Sequence, residues 1–175
     1  SDLEDVIKKI EELLRRVEER LRDAVRKIEE LLRASDERLR EINEESRELL
    51  RRVKELKDAG IDKRDVERIL RDIVRRSKKL LDEVHRTNEE ILRTIERVVE
   101  EVKKELDKIL KEVEDKVRDR KLVDDIRKEV ERIVEEARKL LERIKREVKE
   151  SSERAERLHE EDRKRVEDAL REVKK

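Results

Sequence analysis

From Leu3 onward apolar residues recur every three or four positions: Leu3, Ile7, Ile10, Leu14, Val17, Leu21, Ala24, Ile28, Leu31, then Leu39, Ile42, Leu49, Val53 and Leu56. Steps of three and four trace the a/d seam of a heptad-patterned helix. Apolar neighbours at Val6, Leu13, Val25, Leu32 and Leu50 widen this seam into a stripe that faces more than one partner helix. A disordered or solitary charged segment has no use for such a stripe, so the pattern predicts packed helices.

Two breaks divide the chain. Gly60, the single glycine, stands where a helix C-terminus wants a left-handed residue. Asp62 follows as an N-cap, Asp65 takes the third helical position as a weak capping box, and Ile61 is placed to staple onto Val66. Ser1 with Glu4 reads as a helix start by the same logic. The second break has neither Gly nor Pro. A seam from Val66 through Val98 to Val117 would need apolar residues where Arg120, Asp124 and Arg127 stand, and it resumes instead at Leu122/Val123, Ile126, Val130 and Ile133. The stripe has moved round the helix by about one residue, or ~100°, and Asp119 is the natural cap for a new helix. The expected helices are about 2–58, 63–118 and 120–174, each about 55 residues or ~84 Å long. Matched lengths suit an all-α, antiparallel, coiled-coil-like three-helix bundle in a single domain, 1–175. The alternative is one continuous helix from 62 to 174.

Composition narrows the chemistry. The chain has 175 residues, is 59% charged, and balances 52 Lys+Arg against 52 Asp+Glu, with no Cys, Pro, Met or aromatic residue. Disulfides, thiol nucleophiles and Cys-based metal sites are excluded, and one glycine cannot build a phosphate loop. Acids and bases alternate along the whole chain, as in Arg163-Lys164-Arg165-Val166-Glu167-Asp168, so no basic face or stacking platform is set aside for nucleic acid. No apolar run is long enough for a bilayer span or a signal-peptide core. The expectation is a soluble chain with no targeting signal, no membrane and no nucleic-acid partner.

Uncharged polar residues are scarce and grouped. Besides Ser1 they fall in three windows: Ser35, Asn43 and Ser46; Ser77, His85, Thr87, Asn88 and Thr94; and Ser151, Ser152 and His159. Folded as hairpins about Gly60 and Asp119, residues whose numbers add to about 120 across the first turn and about 239 across the second face each other in antiparallel register. Ser35 then meets His85, Asn43 meets Ser77, Asn88 meets Ser151, and Ser77 meets Asp162. Ser35, Ser46, Ser77, Asn88, Ser151 and Asp162 also occupy seam positions that neighbouring repeats give to Leu, Ile or Val. Buried polar groups are costly unless paired, so the ten residues Ser35, Asn43, Ser46, Ser77, His85, Asn88, Ser151, Ser152, His159 and Asp162 read as a structural polar network that sets register.

The histidines invite sharper readings. Asp82 before His85 and Glu156 before His159 have the carboxylate–histidine spacing of di-metal bundles. Carboxylates are too common in this sequence for that spacing to be selective, and no metal or cofactor is expected. A neutral buried His85 or His159 would lose its hydrogen bonds on protonation, giving lower stability at about pH 5 than at about pH 7.5, unless Asp162 lies close enough to His159 to welcome the charge. No serine sits beside a histidine with the glycine-lined oxyanion loop that acyl transfer needs, so no enzyme is expected.

Heptads, a Glu/Lys/Arg surface, the Gly60 turn and the polar slab together resemble computationally designed (de novo) helical bundles with built-in hydrogen-bond networks. The resemblance implies a structural scaffold with no natural biochemical activity and no required partner. Its alternative is an interaction module, similar to designed bundle heterodimers and switchable cage proteins, which presents an apolar groove to a designed partner helix or self-associates. Doubled apolar positions such as Leu13/Leu14, Leu49/Leu50 and Leu80/Leu81 support that second reading. The second turn, Val117-Arg118-Asp119-Arg120-Lys121-Leu122, departs from the usual Gly or Pro of designed hairpins.

Overall fold

A computed structural model describes residues 2–175, with side chains from residue 3 onward. The reading of Ser1 as a cap lies outside the described residues. Three α-helices follow one another: α1 (Asp2–Asp58), α2 (Lys63–Lys116) and α3 (Arg120–Lys174).

Backbone chemistry at the two turns explains where each helix stops. Gly60 adopts φ +81°, and its N–H donates to the Lys57 carbonyl at 3.2 Å while the Ile61 N–H donates to the Leu56 carbonyl at 3.2 Å. These two bonds are a Schellman cap, which closes the last carbonyls of α1 and needs a left-handed residue between them. The Asp62 carboxylate then accepts from the Arg64 N–H at 3.1 Å, opening α2. The Asp65 carboxylate pairs with Arg68, and Ile61 keeps 40% of its surface exposed. At the second turn α2 ends at Lys116, two residues before 118, and residues 117–119 are not helical. Asp119 Oδ1 accepts from the N–H groups of Lys121 at 3.1 Å and Leu122 at 3.4 Å. A carboxylate can reach those free amides only if its own residue has left the helix, which is why α2 ends early and a continuous helix from 62 to 174 does not form.

Part of the buried face repeats every eleven residues rather than every seven. In α2 the buried positions from Val66 to Val99 are Val66, Leu70, Ile73, Ser77, Leu81, Val84, Asn88, Ile91, Ile95 and Val99, steps that mostly repeat as four, three, four, before Val102, Leu106, Ile109 and Val113 follow in alternating steps of three and four. Eleven residues in three turns average close to the ~3.6 residues per turn of a straight helix, whereas a strict heptad drifts the other way. The small phase difference moves the seam by one residue in places. Val99 is buried where Val98 was expected, and Leu32 is buried while Leu31 is 52% exposed. Eleven-residue spacing also links the polar seam residues within each helix: Ser35 and Ser46, Ser77 and Asn88, Ser151 and Asp162.

Each helix contributes to two compact units. The first takes α1 up to Glu30 together with Ile91–Glu147. Its core is apolar and draws on all three helices, with Ile10, Leu14 and Val17 against Val102, Leu106 and Val113, and Val130 and Ile133. Arg20 meets Glu101 at 2.5 Å and Glu105 at 2.6 Å, Arg127 meets Glu114 at 2.8 Å, and Glu29 meets Arg143 at 2.6 Å. Such exposed pairs stabilise little, but they mark the register, with α2 antiparallel to both α1 and α3.

The second unit combines Leu31–Glu90 with Val148–Lys175. Two apolar clusters lie within it. Leu39, Leu81, Val84 and Ala155 form one; Val53, Val66, Leu70, Ile73, Val166 and Val173 form the other. In sequence, all three helices pass between them through polar seam residues: Ser46 on α1, Ser77 on α2 and Asp162 on α3, each buried. Arg76 meets Glu45 at 3.5 Å and Arg38 meets Glu83 at 4.0 Å, within a residue or so of the register read from the sequence.

The caps carry a direct test. Replacing Asp119 with Ala removes the only side-chain acceptor described at the start of α3 and should lower stability by about 1 kcal/mol. Gly60→Ala meets no steric obstacle within 4 Å, so its loss, also about 1 kcal/mol, reports the left-handed backbone alone. Urea unfolding midpoints of the two variants measure both effects.

Candidate functional site

Most of the sequence-identified polar residues lie in the second unit between α2 and α3, where two side-chain clusters form. In the first, Asn88 is 2% exposed. Its Nδ2 donates to Ser152 Oγ at 2.9 Å and, more weakly, to Ser151 Oγ at 3.5 Å. Its Oδ1 is buried without a hydrogen-bond partner among the described residues. A primary amide has two donors and one strong acceptor, so this level is satisfied on its donor side only.

The second cluster joins Ser77, His159 and Asp162. Ser77 Oγ lies 2.9 Å from His159 Nδ1, and the Ser77 hydroxyl is near enough to the Asp162 carboxyl to favour its charged form. Asp162 is 3% exposed, its Oδ1 has no hydrogen bond among the described residues, and Arg165 Nη1 approaches that oxygen at 3.8 Å. Burial pushes the Asp162 carboxyl above the usual carboxylate range, the Ser77 hydroxyl and the charges of Arg165 and His159 oppose the rise, and Glu161 adds to it. Serine, histidine and aspartate meet here in the wrong order for nucleophilic catalysis. In a triad the carboxylate orients the far nitrogen of the imidazole; here the imidazole nitrogen that faces Ser77 is Nδ1, and no hydrogen bond joins Asp162 to the ring among the described residues.

The remaining expected members are placed differently. His85 stands 35% exposed at its side chain, with Nε2 3.4 Å from Glu156 rather than against Ser35. Ser35 lines a shallow surface groove with Leu31, Ala34, Leu80 and Thr87. Ser46 is buried, and Asn43 is half-buried with an Oδ1 that has no hydrogen-bond partner among the described residues. Among the described residues no three His, Asp or Glu side chains gather in a way that could hold a metal ion.

Apart from Asp162, charged residues read as surface, and that reading misses a pair. Asp36 Oδ2 accepts from Arg154 Nη2 at 2.8 Å across α1 and α3, partly buried, with the other Asp36 oxygen buried and unpaired. A signal was available: Asp36 sits in the seam gap between Leu32 and Leu39, beside Ser35.

A buried carboxyl with one unpaired oxygen should cost stability relative to the leucine that the repeat would place there. Asp162→Leu is therefore expected to raise unfolding stability by about 1–3 kcal/mol near neutral pH. The sign with pH follows from the raised carboxyl: the folded state binds its proton more readily than the unfolded chain, so the penalty is complete above the folded pKa and shrinks as pH falls towards the ordinary carboxylate range. Denaturation of wild type and variant at pH 7.5 and pH 4.5 should show the gap narrowing in acid; a gap that widens contradicts this reading of Asp162.

Structural comparison pairs the chain with a solved protein described as a computationally designed three helix bundle, at 17% sequence identity and a TM-score of 0.48, over 98% of this chain and 86% of the other. No family model and no curated protein matches the chain.

Proposed function

We propose that the chain is a designed structural scaffold without catalytic activity, a three-helix bundle in which buried polar residues decide how the helices face one another. One observation carries this reading. Seam polar residues recur at eleven-residue spacing on each helix, and those of α2 meet those of α3 at matching levels, Asn88 with Ser151 and Ser152, Ser77 with His159 and Asp162. An apolar seam of Leu, Ile and Val packs acceptably in several arrangements, whereas another arrangement of this polar seam would part Asn88 from Ser152 and Ser77 from His159.

The second reading is an interaction module. It is favoured by Leu31, 52% exposed beside a groove that includes Ala34, Leu39, Leu80 and Val84 in the second unit. Its pH-responsive form would act through His85 and His159. Both lie near carboxyl groups, Glu156 and Asp162.

Light scattering separates the readings. The scaffold should elute at the chain mass of 21.4 kDa across a wide concentration range. A species at a multiple of that mass, dissociating on dilution, would favour self-association through the Leu31 groove, and Leu31→Glu should then restore the monomer.

A further inference from the structure

On α3 an arginine stands immediately before each of four buried residues: Arg132 before Ile133, Arg143 before Ile144, Arg154 before Ala155 and Arg165 before Val166. Successive members are eleven residues apart, a step that returns a straight helix to nearly the same angle. Three of them meet an acid on α1. In the first unit Arg132 pairs with Glu18, and Arg143 meets Glu29 at 2.6 Å. In the second unit Arg154 meets Asp36 at 2.8 Å.

The fourth does not, and the α1 sequence shows why. Glu18 and Glu29 each follow a buried residue, Val17 and Ile28, and the next two members of that eleven-residue series are Arg40 and Arg51. At the third level Asp36, one turn before Arg40, supplies the acid instead. At the fourth the residue one turn before Arg51 is Arg47, and Glu48 is engaged by Arg51 and Arg52. Arg165 accordingly forms no ion pair with α1 among the described residues. Its Nη1 is buried without a hydrogen-bond partner, and its α3 neighbours Glu161 and Asp162 stand at 3.7 and 3.8 Å, outside hydrogen-bond reach.

A cleft of about 290 Å³ lies at this level in the second unit, with Leu50 and Ala169 as its apolar lining. Arg51 and Lys54 border it from α1, and Arg165, Asp168 and Glu172 from α3. The two helices run parallel here, since Asp36 meets Arg154 and Lys57 Nζ donates to the Glu172 carbonyl at 2.6 Å. The end of the cleft at residues 50 and 165 therefore carries two guanidinium groups, and both lining acids lie one or two turns beyond it.

We propose that this cleft binds an organic carboxylate on a short apolar chain, which supplies from outside the acid that α1 lacks at the fourth level. The carboxylate seats between Arg51 and Arg165, where guanidinium groups can bind it in two-pronged fashion, and the chain lies on Leu50 and Ala169. Turning Arg51 towards the ligand leaves Glu48 with Arg52 at 3.7 Å. An apolar ligand without charge would leave the two arginines uncompensated, and an anion without a chain would gain nothing from the apolar lining.

Titrating octanoate into the nitrogen-15-labelled full chain, followed by NMR of the backbone amides, tests the proposal. Saturable shifts are expected at residues 50–54 and 165–172, with a Kd in the millimolar range suited to so small a ligand. Arg51→Glu gives α1 the acid of the series at the fourth level and should weaken binding about tenfold or more; Arg165→Gln should do the same. Acetate and octanol, each carrying half of the chemistry, should bind more weakly than octanoate. Leu31→Glu, outside the cleft, should leave the titration unchanged. Shifts that fail to saturate or that centre elsewhere overturn the proposal. So does octanol matching octanoate, or an Arg51→Glu chain that binds octanoate as wild type does.

Discussion

A polar atom taken out of water on one helix has to be met by a partner on another, at the same level. Burying an amide or hydroxyl without a partner costs roughly 2–7 kcal/mol in apolar reference media, comparable with the whole stability of many domains. Leu, Ile and Val on the remaining seam positions impose no such demand, since any close-packed neighbour will serve. The apolar stripe therefore brings the helices together, and the few polar interruptions discriminate between ways of doing so. Short turns at Gly60 and Asp119 limit axial slip within one chain, so the discrimination that remains falls on how each helix is rotated and on pairing with other chains.

The two units show the contrast, each within itself. In the first, the core runs through Ile10, Leu106 and Ile133 with apolar neighbours. In the second, two apolar clusters are separated in sequence by Ser46, Ser77 and Asp162. Several orphaned polar atoms, on Asp36, Asn43, Asn88 and Asp162, belong to that second unit. Specificity held by half-satisfied groups comes at the expense of stability, and Asp162 is the sharpest case because its carboxyl is both buried and shared.

Much of this was legible in the sequence because it depends on short-range chemistry. Gly60, Asp62 and Asp119 announce helix ends through backbone conformations and free amides that few other residues serve. Hairpin arithmetic from those ends was enough to set Asn88 against Ser151 and Ser77 against Asp162. The misplacements have one physical origin. A seven-residue ruler and an eleven-residue one part company slowly, so Leu31 and Val98 were each put on the seam one residue from the side chain that is buried. His85 escaped for another reason: residue levels fix height along a helix but not rotation, and its ring turns to Glu156 at the solvent edge. Asp36 and Arg154 were hidden by composition, because in a chain so rich in charge a partly buried ion pair looks like the rest of the surface.

The central claim is that polar groups on α2 and α3 are tolerated because they satisfy one another. A double-mutant cycle on Asn88 and Ser152, with each replaced by Ala singly and together and stability measured by urea unfolding, tests this most directly. Mutual satisfaction requires a coupling energy of about 0.5–1 kcal/mol or more, with the second substitution costing less once the first is made. Losses that add to within about 0.3 kcal/mol would mean that the 2.9 Å contact joins two groups that do not depend on each other, and the claim would fail.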